Sequence, residues 1–399
     1  MPAKQLKRAM LMAFFVVALF VIQAHGMGSP SSNDMNLFSS KVSNETAKRI
    51  HGINGGALAS KPPKLIQKSS SSSAEEGKNI SVKKASPGKV LTLFGVWYLL
   101  TICSSTAMTS ASKSLPLPWI GTCMRMWVGA VFVYFTGKTG LRPMPSLAKS
   151  TIKSVIPVAF LSTTTLLFTG MAYAAGSLAF VSIVKSAEPV TMAILNAIIF
   201  QKLLPFPVYA SLLPVVFGVG LASLKELNFS LASLIYAMIV NCTSSLRSIL
   251  AKNLTSTGLT SQALTGLVQI LGAFMITPIA ACLESGKLIK IIQSMSEDAA
   301  VAASMKRFLM LNVLSGICLL LFYEGNFRCL SAVGPLSHSI GSTIGRVVVI
   351  TAGVLIYKTQ MTPLNILGAV LSVGGVFLYS FMQNYYAKKA VAQTTESSN

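Results

Sequence analysis

The chain has 399 residues, of which 52% are hydrophobic and only 11% charged, with 33 Lys and Arg against 11 Asp and Glu. Soluble domains carry charge on about a quarter of their residues. A soluble globular enzyme and a disordered chain are therefore both excluded, and a polytopic membrane protein remains. The net charge of +22 does not signal nucleic acid: thirteen Lys and Arg lie in residues 1–90, and no nucleic-acid motif accompanies the basic residues.

The first ninety residues read as two signals in series. Lys4, Lys7 and Arg8 precede the apolar run Met10–Ile22, and Ala24-His25-Gly26 offers small residues for cleavage. Thirteen apolar residues are short for a membrane span, so residues 1–26 read as a secretory signal, with an uncleaved anchor as the alternative. Residues 27–90 hold fourteen serines, ten Lys and Arg, four acids and one aromatic, Phe38. Such a stretch lacks the apolar area to fold and has the composition of a transit segment. Together they suggest a leader for a plastid bounded by extra membranes, of secondary-plastid or apicoplast type. A disordered tail on a secretory-pathway protein is the alternative.

From residue 91 the apolar stretches have helix length. Spans are predicted near 91–110, 119–136, 154–172, 178–200, 207–223, 231–249, 262–283, 307–324, 335–356 and 362–383, with residues 386–399 as a disordered tail. Open sheets leave backbone groups unsatisfied in lipid, so the expectation is an all-α integral membrane protein with ten transmembrane helices. Loop Lys and Arg number twelve on the side of the termini and seven on the other, which places the termini on the more positive side. Lys202, Pro207 and Gly218 recur at one offset as Lys358, Pro363 and Gly374. The implied repeats, about 91–224 and 231–383, must be inverted relative to one another, a plan of secondary transporters that puts the substrate site at their interface.

An ionisable residue deep in a span costs about 2.5–3.5 kcal/mol on insertion scales, so each one needs a reason. Lys185, Arg247 and Arg346 are the basic candidates, and Glu188 is the acid. Glu188 lies three residues after Lys185, on the same helical face, and Pro189 breaks the backbone ladder beside it. Three cations against one carboxylate leave an excess that calls for a dianion, and Arg and Lys suit phosphate. The expectation is a phosphate-bearing substrate at Lys185, Arg247 and Arg346. For Arg247, near a helix end, snorkelling to the interface is the alternative. Arg125 reads as interfacial, His338 as a core imidazole, the span-three threonines as bonded to their own helix, and Glu284–Arg307 as a solvated loop. The six cysteines form no C-x-x-C pair, and no nucleophile–base pair, metal cluster or phosphate loop is present, so no enzyme, metal or cofactor is expected.

Val181-Ser182-Ile183-Val184-Lys185-Ser186-Ala187-Glu188-Pro189 resembles the fourth-span signature of the plastid triose-phosphate/phosphate translocator family, within the drug/metabolite transporter superfamily. Pro335–Gly341 leading to Arg346–Ile350, Leu221–Phe229 and Arg247-Ser248-Ile249 carry the same resemblance over residues 91–385. The resemblance implies ten helices in two inverted five-helix halves. It implies antiport of phosphorylated three-, five- or six-carbon metabolites against inorganic phosphate. By motif, Lys185, Arg247 and Arg346 fall on phosphate-binding positions and Thr169 on a site-lining hydroxyl, with Glu188, Phe322, Tyr323 and His338 also at the cavity wall. The chain departs from the family at three places: Gly345 replaces a Lys, Phe322 a Tyr and Leu166 a His.

The expected partners are a phosphorylated small molecule, inorganic phosphate and membrane lipid, with no nucleic acid, and the carrier is expected to be a monomer. The rival readings are a nucleotide-sugar antiporter of ER or Golgi membranes and a non-transporting membrane receptor or scaffold.

Overall fold

The computed structural model describes residues 87–140, 148–201, 203–224, 230–255 and 258–396. The signal and transit readings of residues 1–86 and the Lys202 member of the repeat lie outside them. The described residues form helices α1 (Pro87–Ser114), α2 (Pro118–Lys138), α3 (Lys149–Ala175), α4 (Leu178–Lys185), α5 (Glu188–Phe200), α6 (Phe206–Ala210), α7 (Leu213–Leu224), α8 (Leu231–Thr255), α9 (Ser261–Ser294), α10 (Ala299–Tyr357) and α11 (Pro363–Glu396), with no strands among them. Nine stretches among these residues are long and apolar enough to cross a membrane. The 21-residue α2, which holds Arg125, is a further helix-length column.

Helix α10 is assigned as one run of 59 residues. A straight helix of that length would reach almost 90 Å, against the ~30 Å of a bilayer core. It folds back instead. His338 Nε2 lies 2.9 Å from Asn326 Oδ1, whereas twelve residues of straight helix separate two Cα atoms by ~18 Å. Both arms, Ala299–Leu330 and Ser337–Tyr357, pack on α1. Along α1 the first arm runs antiparallel, pairing Trp97 with Gly325 and Ser104 with Ser315. The second runs parallel, pairing Tyr98 with Gly341 and Thr106 with Tyr357. The described residues therefore form ten columns.

The pairing of columns carries the repeat. Column three lies on column six through Ser233 and Ala172, and column eight on column one through Ser104 and Ser315. Columns two and seven meet through Ile120 and Glu284, four and nine through Arg346 and Lys185, five and ten through Gly218 and Ser372. Exchanging each column with the one five later maps this set of pairs onto itself. The fourth columns of both halves end alike, with a left-handed non-glycine cap: Gln201 (φ 52°) and Lys358 (φ 47°). The two matched glycines differ in use. A Cβ at Gly218 would collide with the Ser372 nitrogen and lie 2.6 Å from the Gly368 oxygen, so α7 and α11 touch there backbone to backbone, while Gly374 meets nothing within 4 Å.

Four expectations are corrected. Helix α1 begins at Pro87 rather than 91. Helix α11 continues to Glu396 rather than giving way to a disordered tail at 386, because residues 386–396 contain neither Gly nor Pro and include three Ala and two Lys. The supposed loop from Glu284 is helix to Ser294, and Glu284 is buried, its Oε2 accepting from the Ile120 backbone N–H at 2.9 Å. It satisfies one of the orphan donors at the start of α2. Arg125 is not interfacial either. It is 3% exposed, donating from Nη1 to Asn312 Oδ1 at 2.5 Å and from Nη2 to Thr122 Oγ1 at 3.0 Å. A neighbouring column supplies the amide that makes this burial possible.

Candidate functional site

The fourth column is broken at Ser186-Ala187, between α4 and α5. Pro189 has no N–H for the carbonyl four residues back, which is that of Lys185. Arg346 supplies the missing donor, its Nη1 lying 2.9 Å from Lys185 O. Asn241 Nδ2 donates to Val184 O at 2.8 Å and Ser245 Oγ to Glu188 O at 3.2 Å. Ser186 Oγ donates to Ile183 O at 2.5 Å and is hydrogen-bonded to Ser372 Oγ. The break is thus braced from α8, α10 and α11, and irregular backbone survives at membrane depth only where protein satisfies it so.

Beside the break lies a cavity with two lobes. The inner lobe, about 290 Å³, is lined by Lys185 with Thr101, Ser104, Thr165, Thr169 and Tyr173. The outer lobe, about 480 Å³, carries Lys252, Gln269, Asn326, Thr265 and Ser342. Ser162, Leu166, Glu188, Arg247, Phe322 and Tyr323 border both. The outer lobe reaches Lys252 and Thr255 at the end of α8 and Ser261 at the start of α9, and so faces the side of the termini. Beyond the inner lobe, Phe180, Val181, Val184 and Val349 close the bundle with Met108 and Tyr173. Tyr357 ties that end, donating to Thr106 O at 2.9 Å and lying 2.9 Å from Ser110 Oγ.

The residues expected at the site are distributed unequally. Lys185, Arg247, Glu188, Thr169, Phe322 and Tyr323 line the cavity. Arg346 and His338 do not. Arg346 Nη2 lies 3.3 Å from Glu188 Oε2, so Glu188 pairs with Arg346 rather than with Lys185 three residues away. The break between α4 and α5 removes the regular register that would bring Lys185 and Glu188 together. Lys185 Nζ instead sits 5.9 Å from the centre of the Tyr173 ring. His338 bonds to Asn326 and stands 5.3 Å from Trp97, which stacks on Phe322 at 5.8 Å with 16° between planes.

Thr169 donates its proton to Thr165 O at 2.7 Å, and Thr163, Thr164 and Thr165 likewise bond back along their helix. Thr169 therefore offers the cavity an acceptor only. Lys185 and Arg247 remain as two cations at the inner lobe, with no carboxylate partner among the described residues. Lys252, Ser162, Gln269 and Asn326 escaped the sequence reading. Gln269 is an amide inside an apolar run and was legible in principle; Asn326 sits between Glu324 and Arg328, and Ser162 is one hydroxyl among many.

The Triose-phosphate Transporter family model matches residues 88–380. Among curated relatives, a rice (Oryza sativa subsp. japonica) phosphoenolpyruvate/phosphate translocator is 30% identical over 304 residues, covering 75% of this chain and 73% of its own. A non-green-plastid triose phosphate/phosphate translocator of Brassica oleracea var. botrytis is 29% identical, covering 75% and 74%. A xylulose 5-phosphate/phosphate translocator of Arabidopsis thaliana is 28% identical, covering 75% and 71%. Matched over most of its helical region by the family model, and carrying the broken fourth column with Lys185 at its edge, the chain belongs to the Triose-phosphate Transporter family.

Proposed function

We propose that the protein exchanges a phosphorylated small metabolite for inorganic phosphate across a plastid-type membrane. The observation that carries this reading is the pair Lys185 and Arg247 on the inner lobe, with Glu188 already engaged by Arg346. Two cations with no carboxylate partner of their own in a low-dielectric chamber are matched by one phosphate dianion. The three relatives are named as translocators of a phosphorylated metabolite and phosphate. The plastid location rests on those names and on the Ser- and Lys-rich leader.

The mechanism follows from the same charges. With the chamber empty, closing it would bring Lys185 and Arg247 into a dry space where they repel, so the empty carrier crosses slowly. A bound dianion cancels the repulsion and lets the halves rock about the site. Arg346 works from behind the wall. It donates to the Lys185 carbonyl and pairs with Glu188, which holds the broken column while the halves move.

The test is uptake of labelled phosphate into proteoliposomes with and without internal phosphate. Uptake only into phosphate-loaded vesicles is expected, and equal uptake into both refutes obligatory exchange.

A further inference from the structure

We infer that Ser162 and Gln269 form a neutral hydrogen-bonding subsite for the organic part of the substrate, beside the phosphate position at Lys185 and Arg247. This rests on the exchanger reading above and extends it to the choice of substrate.

Along α3, Ser154, Thr163, Thr164, Thr165 and Thr169 each donate to the carbonyl four residues back. Ser162 breaks that habit. Its Oγ is buried with no partner, and the residue borders both lobes. It stands four residues before Leu166, on the same helical face one turn nearer the open side.

Gln269, from the other half of the molecule, lines the outer lobe together with Ser162. It is 4% exposed, and its Oε1 lacks a donor. Its seat is made by Gly129: a Cβ there would lie 2.8 Å from both Cδ and Oε1 of the amide. A buried polar group without a partner is costly, and the cost is recovered when a ligand supplies the partner. Arg247 Nε is a third such atom, on a residue common to both lobes, so the phosphate position and this subsite are continuous.

The chemistry selects the ligand. A hydroxyl and an amide each donate and accept, but neither carries charge. They suit the hydroxyl and carbonyl oxygens of a sugar phosphate. Inorganic phosphate has no organic oxygen to offer them. The subsite therefore favours a keto- or hydroxy-sugar phosphate, and it discriminates the ester from inorganic phosphate.

The test compares KM for dihydroxyacetone phosphate with KM for inorganic phosphate, each entering phosphate-loaded proteoliposomes, in the unsubstituted protein and in Ser162→Ala/Gln269→Leu. The ratio of the two KM values does not depend on how much carrier is folded. It is expected to rise roughly tenfold, as for the loss of one or two neutral hydrogen bonds. An unchanged ratio, or an unsubstituted protein that exchanges phosphate but refuses the triose phosphate, overturns the subsite. If the double variant shows no exchange, Ser162→Ala and Gln269→Leu are each read by the same ratio. Absence of phosphate–phosphate exchange in the unsubstituted protein strikes the exchanger reading itself.

Discussion

Arg346 holds the backbone of Lys185: its Nη1 donates to the Lys185 carbonyl over 2.9 Å, across the gap that Pro189 leaves in the fourth column. Its Nη2 reaches Glu188 at 3.3 Å, and each side chain of that pair is 26% exposed. One guanidinium thus satisfies a stranded carbonyl and a carboxylate together, on both sides of the break. Arg346→Ala leaves both without a partner and is expected to lower stability by about 1–3 kcal/mol. A double-mutant cycle with Glu188→Gln, read by thermal unfolding in detergent, isolates the pair. Coupling above about 0.5 kcal/mol is expected for groups in one network, and zero coupling would mean that the contact does no structural work.

Lys185 and Arg247 are predicted to act on phosphate directly. Lys185→Gln and Arg247→Gln each remove one charge from the inner lobe and leave the braces at Val184, Lys185 and Glu188 in place. KM for phosphate is expected to rise at least tenfold in each, which corresponds to about 1.4 kcal/mol of lost binding. Thermal stability is expected to hold or increase, because two unpaired cations no longer face one chamber. A variant that transports phosphate with the original KM removes that residue from the site.

The break was legible because Pro189 announces itself: a missing N–H can be located by counting. The positions of the cations were not. In water the contrast between polar and apolar faces shows which side of a helix is buried. In lipid both sides are apolar, so the rotation of each column is set by packing that leaves little trace in composition. Arg125 shows the consequence. Near the start of α2 it has the spacing of an interfacial residue, yet Asn312, 187 positions away in sequence, draws it inward. Arg346 shows it again, central in its span as the sequence implied but outside the cavity lining, turned to the Lys185 carbonyl and the Glu188 carboxylate.

The burial of Arg125 makes a prediction of opposite signs. Its Nε has no partner, and its two contacts are to neutral acceptors, Asn312 and Thr122. Asn312→Leu leaves the buried guanidinium short of its acceptor and is expected to destabilise by about 3 kcal/mol or more, as when one member of a buried charged contact is removed. Arg125→Met combined with Asn312→Leu removes the charge and its buried acceptor together and is expected to be neutral or stabilising. Denaturation midpoints of the two variants should therefore move apart. If both fall equally, Arg125 contributes packing that methionine cannot replace.

The repeat-matched glycines give a paired test of how the halves join. A Cβ at Gly218 would meet backbone, the Ser372 nitrogen and the Gly368 oxygen, so neither helix can yield by rotating a side chain. Gly218→Ala must push α7 from α11 and is expected to cost about 1–3 kcal/mol. Gly374→Ala meets nothing within 4 Å, and the gain in helix propensity, up to about 1 kcal/mol, is expected to appear as a small rise in melting temperature. Equal effects at the two positions would place the contact between the halves elsewhere.

Tyr357 decides how firmly the far end is shut. Its hydroxyl donates to Thr106 O at 2.9 Å and meets Ser110 Oγ at 2.9 Å, joining the end of the ninth column to the first. Lys113 Nζ lies 5.4 Å from the centre of its ring. Tyr357→Phe keeps the ring and this cation–π contact but removes the hydroxyl, so only the hydrogen-bonded part of the latch is lost. Each neutral hydrogen bond contributes about 0.5–1.5 kcal/mol, enough, in the exchange mechanism proposed above, to change the ratio of its two access states by roughly two- to tenfold. A cysteine at Ser114, in a background with the six native cysteines replaced, reports the shift with and without Tyr357→Phe: labelling by a membrane-impermeant maleimide from the far side is expected to be faster once the tyrosine hydroxyl is gone. Unchanged labelling would leave the apolar cluster of Phe180, Val181 and Val349 as the whole of the closure.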